Sequence, residues 1–280
     1  MLKLRSRCIA VITLSVVTAV GVGCGESDSD NNSADQKQAA DGKTYVIGTS
    51  VPFRPLTDRV DGEFVGAEKD LIAAIADAQG FKIKIENAAK FESLLPGMLS
   101  GRYDAAYDGF IDNPERHKQF KSVNWMQYLW TFAAPKGTEG GAALCGKNIV
   151  TLSGSQPMND ALRDYSKEVC PSDNPFKHVQ LGTSQGPTAI KAGRGDAMIA
   201  DSLTLPTTLE ENPELEQVGE YWGEPALDAL LVPARNAEFA DNVVEGLKQI
   251  IADGTYDEIL EKWDIPEASA YKEATVNVAQ

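Results

Sequence analysis

The segment RYDAAYDGFIDNPERHKQF, Arg102 to Phe120, sets a cation just past the end of a strand. A strand-like run from Tyr103 to Tyr107 ends in Asp108 and Gly109, a turn follows at Pro114–Glu115, and Arg116 comes next. A guanidinium there can grip a carboxylate with its planar fork, or it can lie on the surface against Asp112 or Glu115. Asp201 closes the apolar run DAMIAD. A desolvated carboxylate needs a donor or a cation; the competing reading is an aspartate that shapes the turn after its strand. Ser155 stands before a helical pattern, where backbone N–H groups and a hydroxyl can meet an anion or cap the helix. Asp108 can accept a basic group, or else face solvent or cap its turn. Nucleophilic catalysis finds little material: the sequence has two histidines, His117 and His178, neither in a triad motif. His117, between Arg116 and Lys118, reads as a surface residue. The isolated histidines and the acidic runs lack metal-ligand spacing, and no cofactor is implied.

The elements that must position these residues alternate. KTYVIGTS reads as a strand, DLIAAIADAQG as a helix ending at Gly80, FKIKIEN as a strand, FESLLPGMLSG as a short helix, and YDAAYDG as a strand. After YLWTFAAPKG the series restarts with the strand KNIVTLSG, the helix SQPMNDALRDYSKEVC, the strand FKHVQLG, the helix SQGPTAIKAG and the strand DAMIAD. ALDALLVPA returns as a strand, and FADNVVEGLKQIIADGTYDEILEKW holds two amphipathic helices. Repeated β-α-β units predict parallel sheets covered by helices. Ligands of such sheets bind beyond the carboxyl ends of the strands, which puts Ser50, Asp108, Gly109, Ser155, Ser184 and Asp201 where a small molecule would sit.

The formal net charge of -15, from 41 acidic and 26 basic residues, argues against nucleic acid as a partner. MLKLRSR followed by CIAVITLSVVTAVGVG and Cys24 is a basic start and a short apolar stretch, as in a secretory signal. Small residues ending in a cysteine are similar to a bacterial lipoprotein cleavage box with Cys24 acylated, although Gly21 stands where that box usually has Leu, Val or Ile. An ordinary cleaved signal with an incidental Cys24 is the alternative. The acidic, Ser/Asn/Asp-rich run after it reads as a disordered tether. Two cysteines then remain, Cys145 and Cys170, in a compartment where disulfides persist, and they are expected to pair; two buried thiols are the alternative.

GTSVPFRPLTDRVDGEFVGAEKDL, LSGRYDAAYDGFIDNPER, AGRGDAMIAD and IADGTYDEILEKW, in that order, resemble the extracellular solute-binding proteins of family 3, the polar amino acid receptors of ATP-binding-cassette importers. The resemblance runs from about Lys43 to Ile265. It implies an α/β type II periplasmic-binding-protein-like fold of two lobes, each with a parallel-dominated sheet and flanking helices, joined by two hinge strands. The organisation expected is a lipoprotein signal peptide over residues 1–23, a tether over 24–42, lobe 1 over 43–135 and 228–266, lobe 2 over 136–227, and a tail over 267–280. The resemblance also implies a disulfide like that of Cys145 and Cys170, seen in some members.

On the same resemblance, Arg116 pairs with the ligand's α-carboxylate, Ser155 adds donors from the opposite lobe, and Asp201 accepts the α-ammonium. Phe53 falls where an aromatic stacks on the ligand, with core packing as the alternative. Leu56 and Ala67 replace aromatics common in the pattern, Ile111 replaces a Thr or Ser that helps bind the carboxylate, Ser50 stands where some members place an acid, and Asp108 stands where a small residue is usual. The partners implied are a polar amino acid or related zwitterion, the permease subunits, and the membrane through the anchor. The chain is expected to be a monomer. Cyclohexadienyl dehydratases share this scaffold, and Glu68 or Asp108 could serve as an acid, so an enzyme is the rival reading. A sensory module is a weaker one.

Overall fold

Alternation along TYVIGT buries Tyr45 and Ile47 on one face of β1 (Thr44–Thr49), the first strand of the computed structural model, which describes residues 42–153, 155–182 and 185–279. The signal segment, Cys24, the tether up to residue 41 and Ser184 lie outside the described residues. A short hairpin, β2 (Asp58–Val60) and β3 (Glu63–Val65), leads into α1 (Ala67–Gln79). Leu71, Ile72, Ile75 and Ala76 are its buried stripe, at the spacing the sequence predicts. β4 (Lys82–Asn87), α2 (Leu94–Leu99) and β5 (Ala105–Ile111) complete the first series.

β6 (Phe120–Pro135) opens the second series, followed by β7 (Asn148–Leu152), α3 (Gln156–Val169), β8 (Lys177–Leu181), α4 (Gly186–Lys191), β9 (Ala197–Asp201) and α5 (Leu205–Glu211). β10 (Leu215–Pro233) then runs back beside β6, and α6 (Ala237–Ala252) and α7 (Thr255–Lys262) return to the first series. α6 packs closely on α1: a methyl group at Gly246 would lie 2.8 Å from Cγ2 of Ile75.

Apart from the β2–β3 hairpin, the strands among the described residues form one ladder in the order β4-β1-β5-β10-β6-β9-β7-β8. The two outer groups are parallel, as expected, but they are not separate sheets. β6 and β10, of 16 and 19 residues, pair antiparallel along nearly their whole length and weld the groups together. Each half has its own aromatic core. Tyr45, Phe81 and Phe239 pack in the first, and Phe132, Tyr165, Phe176 and Trp222 in the second, where Tyr165 stacks on Trp222 at 4.4 Å. A disulfide joins Cys145 to Cys170 beside the second core, the pairing that the cysteine count predicts.

The C-terminal tail is more ordered than its polar composition suggests. Val276 and Ala270 bridge Val123 and Met126 of β6, and the N–H groups of Val278 and Ala279 each donate to Asp112 at 3.1 Å. Asp112 also meets His117 Nε2 at 2.6 Å. Burial pushes the Asp112 carboxyl up, but the hydrogen bonds from His117 and Ala279 outweigh it and hold the group below its ordinary value. His117 is therefore a half-buried partner of Asp112 rather than a free surface residue.

Candidate functional site

Register decides which side chains meet. Met126, Tyr128 and Trp130 are alternate residues of β6 and share one face. Met126 pairs with Asp228 of β10, and Trp130 pairs with Asp201 of β9, so both aspartates flank Tyr128 on that face. A register shift where β6 passes from Asn124 to Met126 puts an extra residue, Trp125, into the strand, and its indole Nε1 donates to Asp228 Oδ2 at 2.8 Å. β5 completes the wall, with Ile111 opposite Asp228.

Gly109 lies at the centre of these strands for a steric reason. Its φ is 62°, and a methyl group there would lie 2.4 Å from the Phe53 ring and 2.6 Å from the Tyr128 hydroxyl. Phe53 is thus half-buried against Gly109 and Tyr128, fixed by mutual backbone hydrogen bonds with Thr57. The Gly109 N–H donates to both carboxylate oxygens of Glu68, at 3.1 and 3.2 Å. Asp108, next to it, accepts from the Ser50 hydroxyl through Oδ2. Asp108 is 5 % exposed, which removes the solvent-facing alternative, and Glu68 and Asp228 are wholly buried.

These carboxyls are held protonated to unusual pH. Burial raises Asp108 to about 7 against the opposing hydrogen bonds of Ser50. Burial raises Asp228 to about 7 too, aided by Asp201 and Asp108 and opposed by hydrogen bonds from Trp125 and the Ala229 N–H. Glu68 is pushed well above its ordinary range by burial, then by Asp228 and Asp108. The Tyr128 hydroxyl is pushed up by its burial and by all four neighbouring carboxyls, Asp228, Asp201, Glu68 and Asp108.

Asp201 shapes the turn after its strand. Its Oδ1 accepts the N–H groups of Leu203 and Thr204 at 3.0 and 2.9 Å, and its Oδ2 accepts the Thr204 hydroxyl at 2.7 Å. It is nonetheless buried, raised in pKa by that burial, and close enough to act on Asp228 and Tyr128. Arg116 sits on a turn closed by its N–H to Asn113 O at 2.9 Å. Its Nη1 donates to Ile111 O at 2.8 Å, and its guanidinium lies 5.3 Å above the Phe110 ring. Burial lowers its pKa, opposed by Asp112. No ion pair among the described residues engages Arg116; Asp112 pairs with His117 instead.

The structure therefore brings together Ser50, Phe53, Asp108, Gly109 and Ile111, with Arg116 bonded to the Ile111 carbonyl and Asp201 near Tyr128. Ser155 does not join them through any hydrogen bond. Its side chain makes no cap bond, its N–H donates to Leu152 O at 3.2 Å, and its carbonyl accepts from Asn159. Ala67 is wholly buried in the core at the start of α1, as is Leu56, so neither opens a wall. Sequence reading missed Tyr128 and Asp228 and gave Glu68 a role only in the enzyme alternative. Asp228 left a signal, a lone acid inside the apolar run ALDALLVPA; Tyr128 left none. No group of three or more His, Cys, Asp or Glu among the described residues is arranged to hold a metal ion.

The framework is a mixed α/β sheet with parallel outer groups, and buried acids from α1, β5, β9 and β10 gather around Tyr128. The chain belongs to the bacterial extracellular solute-binding proteins, family 3, whose model matches residues 45–266. It is similar to the arginine-binding protein ArgT of Corynebacterium glutamicum, 28% identical over 244 residues that cover 82% of this chain and 77% of that one. It is also similar to the ABC transporter arginine-binding protein 1 of Escherichia coli, 28% identical over 225 residues, 78% of this chain and 88% of that one. Among solved structures, an ancestral arginine-binding protein bound to arginine superposes with a TM-score of 0.64 at 27% identity, covering 79% of this chain and 97% of that one. These relatives are binding proteins and not enzymes, and the dehydratase reading gains no support from them. No helix among the described residues is long and apolar enough to cross a membrane.

Proposed function

We propose that the protein is the receptor of an ATP-binding-cassette importer and captures a polar amino acid or related zwitterion between two lobes joined by β6 and β10. Arg116 grips the α-carboxylate, Asp201 meets the α-ammonium across Tyr128, and Phe53 offers its ring to the ligand. The observation that carries this reading is Arg116 itself: a partly buried guanidinium with no ion pair among the described residues, held by the Ile111 carbonyl at the end of β5. A carboxylate ligand supplies the missing partner. Ser155 contributes only if the second lobe moves toward the ligand, as hinge closure would allow.

Cys24 carries the lipid, the signal over residues 1–23 is removed, and the acidic tether lets a monomeric receptor reach the permease subunits from the outer face of the membrane. The sequence pattern supports this arrangement, and family membership is consistent with it. The relatives' names make arginine the first ligand to try. A thermal-shift screen of the purified protein against amino acids and their decarboxylated analogues tests the reading. A ligand at 100 times its Kd should add about 2.7 kcal/mol of stability. A response to L-amino acids and none to the matching amines is expected; stabilisation by amines alone would overturn it.

A further inference from the structure

Asp108 and Asp228 each have one oxygen held and one left over. Ser50 holds Oδ2 of Asp108, and Trp125 holds Oδ2 of Asp228. Oδ1 of each is buried and has no hydrogen-bond partner among the described residues. Buried acceptors are nearly always satisfied, so two such oxygens in one neighbourhood want explaining. No ion pair among the described residues engages Glu68, Asp108 or Asp228. The charged neighbours that raise Asp228 are Asp201 and Asp108, both acidic, and Asp228 in turn raises Glu68, Tyr128 and Tyr256. Asp108 is raised by burial and opposed by Ser50 alone, and it acts in turn on Glu68, Asp228, Tyr107 and Tyr128. Buried anions without a countercharge are costly unless a cation arrives.

The location fits an arriving cation. Asp108 and Asp228 lie on the adjacent strands β5 and β10, beside Gly109 and Tyr128, and Phe53 closes the same space. The aromatic faces of Phe53 and Tyr128 suit a guanidinium or an ammonium stem.

We propose that Asp108 and Asp228, with Glu68 behind them, form a subsite for a second positive charge on the bound amino acid, so that the protein selects a side chain ending in a guanidinium or ammonium group. This rests on the amino-acid reading above for the ligand's other end. Ser50 and Trp125 act as positioning residues that fix the two carboxylates. Because burial holds both acids near 7, an incoming cation drives off protons that a neutral side chain leaves in place.

Calorimetry with matched pairs tests the subsite: L-arginine against L-citrulline, and L-lysine against L-norleucine. The cationic member of each pair is expected to bind at least thirtyfold more tightly. In Asp108→Asn and Asp228→Asn that advantage should shrink at least tenfold. Should either variant fail to fold, wild-type titrations of L-arginine in two buffers of different ionisation enthalpy at pH 6.5 report proton release directly. Release with L-arginine and none with L-citrulline supports the proposal. Equal affinity for the members of both pairs, or a preference intact in both variants, overturns it while leaving the amino-acid receptor standing. If no amino acid binds, the amino-acid reading fails, and agmatine decides the subsite: binding lost in Asp228→Asn supports it, and no binding overturns it.

Discussion

Replacing Asp228 by Asn should stabilise the unliganded protein while weakening it as a receptor. The side chain is wholly buried, and burial with its acidic neighbours carries its pKa from 3.8 to about 7. The folded state therefore keeps a proton that the unfolded state gives up, and stability falls as pH rises from about 4 to about 7. Above pH 7 the full cost is about 4 kcal/mol, from about 1.36 kcal/mol per pKa unit. Asparagine carries no charge and can still accept from Trp125 Nε1, so most of that cost disappears in the variant. Relaxation and the lost charge-assisted hydrogen bond reduce the gain to roughly 2 kcal/mol, or about 4–8 °C in Tm for a domain of this size. Thermal unfolding at pH 5 and pH 8 is the assay. The variant should melt well above wild type at pH 8 and close to it at pH 5. A variant that melts lower at pH 8, or a difference that does not change with pH, would refute the claim that Asp228 is an uncompensated buried acid.

Gly109→Ala should cost at least about 2 kcal/mol, because a methyl group at φ 62° collides with both Phe53 and Tyr128; chemical denaturation measures it, and a wild-type midpoint would contradict the packing described. Cys145→Ser should lower stability by about 2–4 kcal/mol by opening a crosslink across 25 residues, read as a drop in Tm that reductant reproduces in the wild type. Truncation after Thr275 removes the Val278 and Ala279 donors from Asp112 and should cost about 1–3 kcal/mol; an unchanged Tm would mean the tail contributes nothing to the β6 face.

Periodicity made much of the fold legible. Alternation in β4, the stripe in α1 and the strong amphipathicity of α3 each follow from one face meeting the core and the other meeting water. β6 did not show itself in full. It is covered by strands on both edges and buried along most of its length, so Phe120–Pro135 has no alternation to read. The first half of β10 is broken by register shifts around Gly219 and Gly223, and the β2–β3 hairpin has three-residue strands in a polar stretch. The site divides the same way. Asp201 ends its strand and Arg116 follows one, as the sequence marks, whereas β5 runs through Asp108 and on to Ile111 instead of ending there. That Asp108 is buried rather than solvent-facing, and that Asp228 joins it, depends on cross-strand register and on the bulge at Trp125, which no local pattern encodes.

The central claim is that Arg116 binds the carboxylate of an amino acid. Calorimetric titration of L-arginine into the wild type and Arg116→Ala, with Tm recorded for both, tests it most directly. Removing one partner of a buried charged hydrogen bond costs about 2–5 kcal/mol, so affinity should fall about thirtyfold or more with Tm nearly unchanged. Equal affinity in the two proteins would contradict the account.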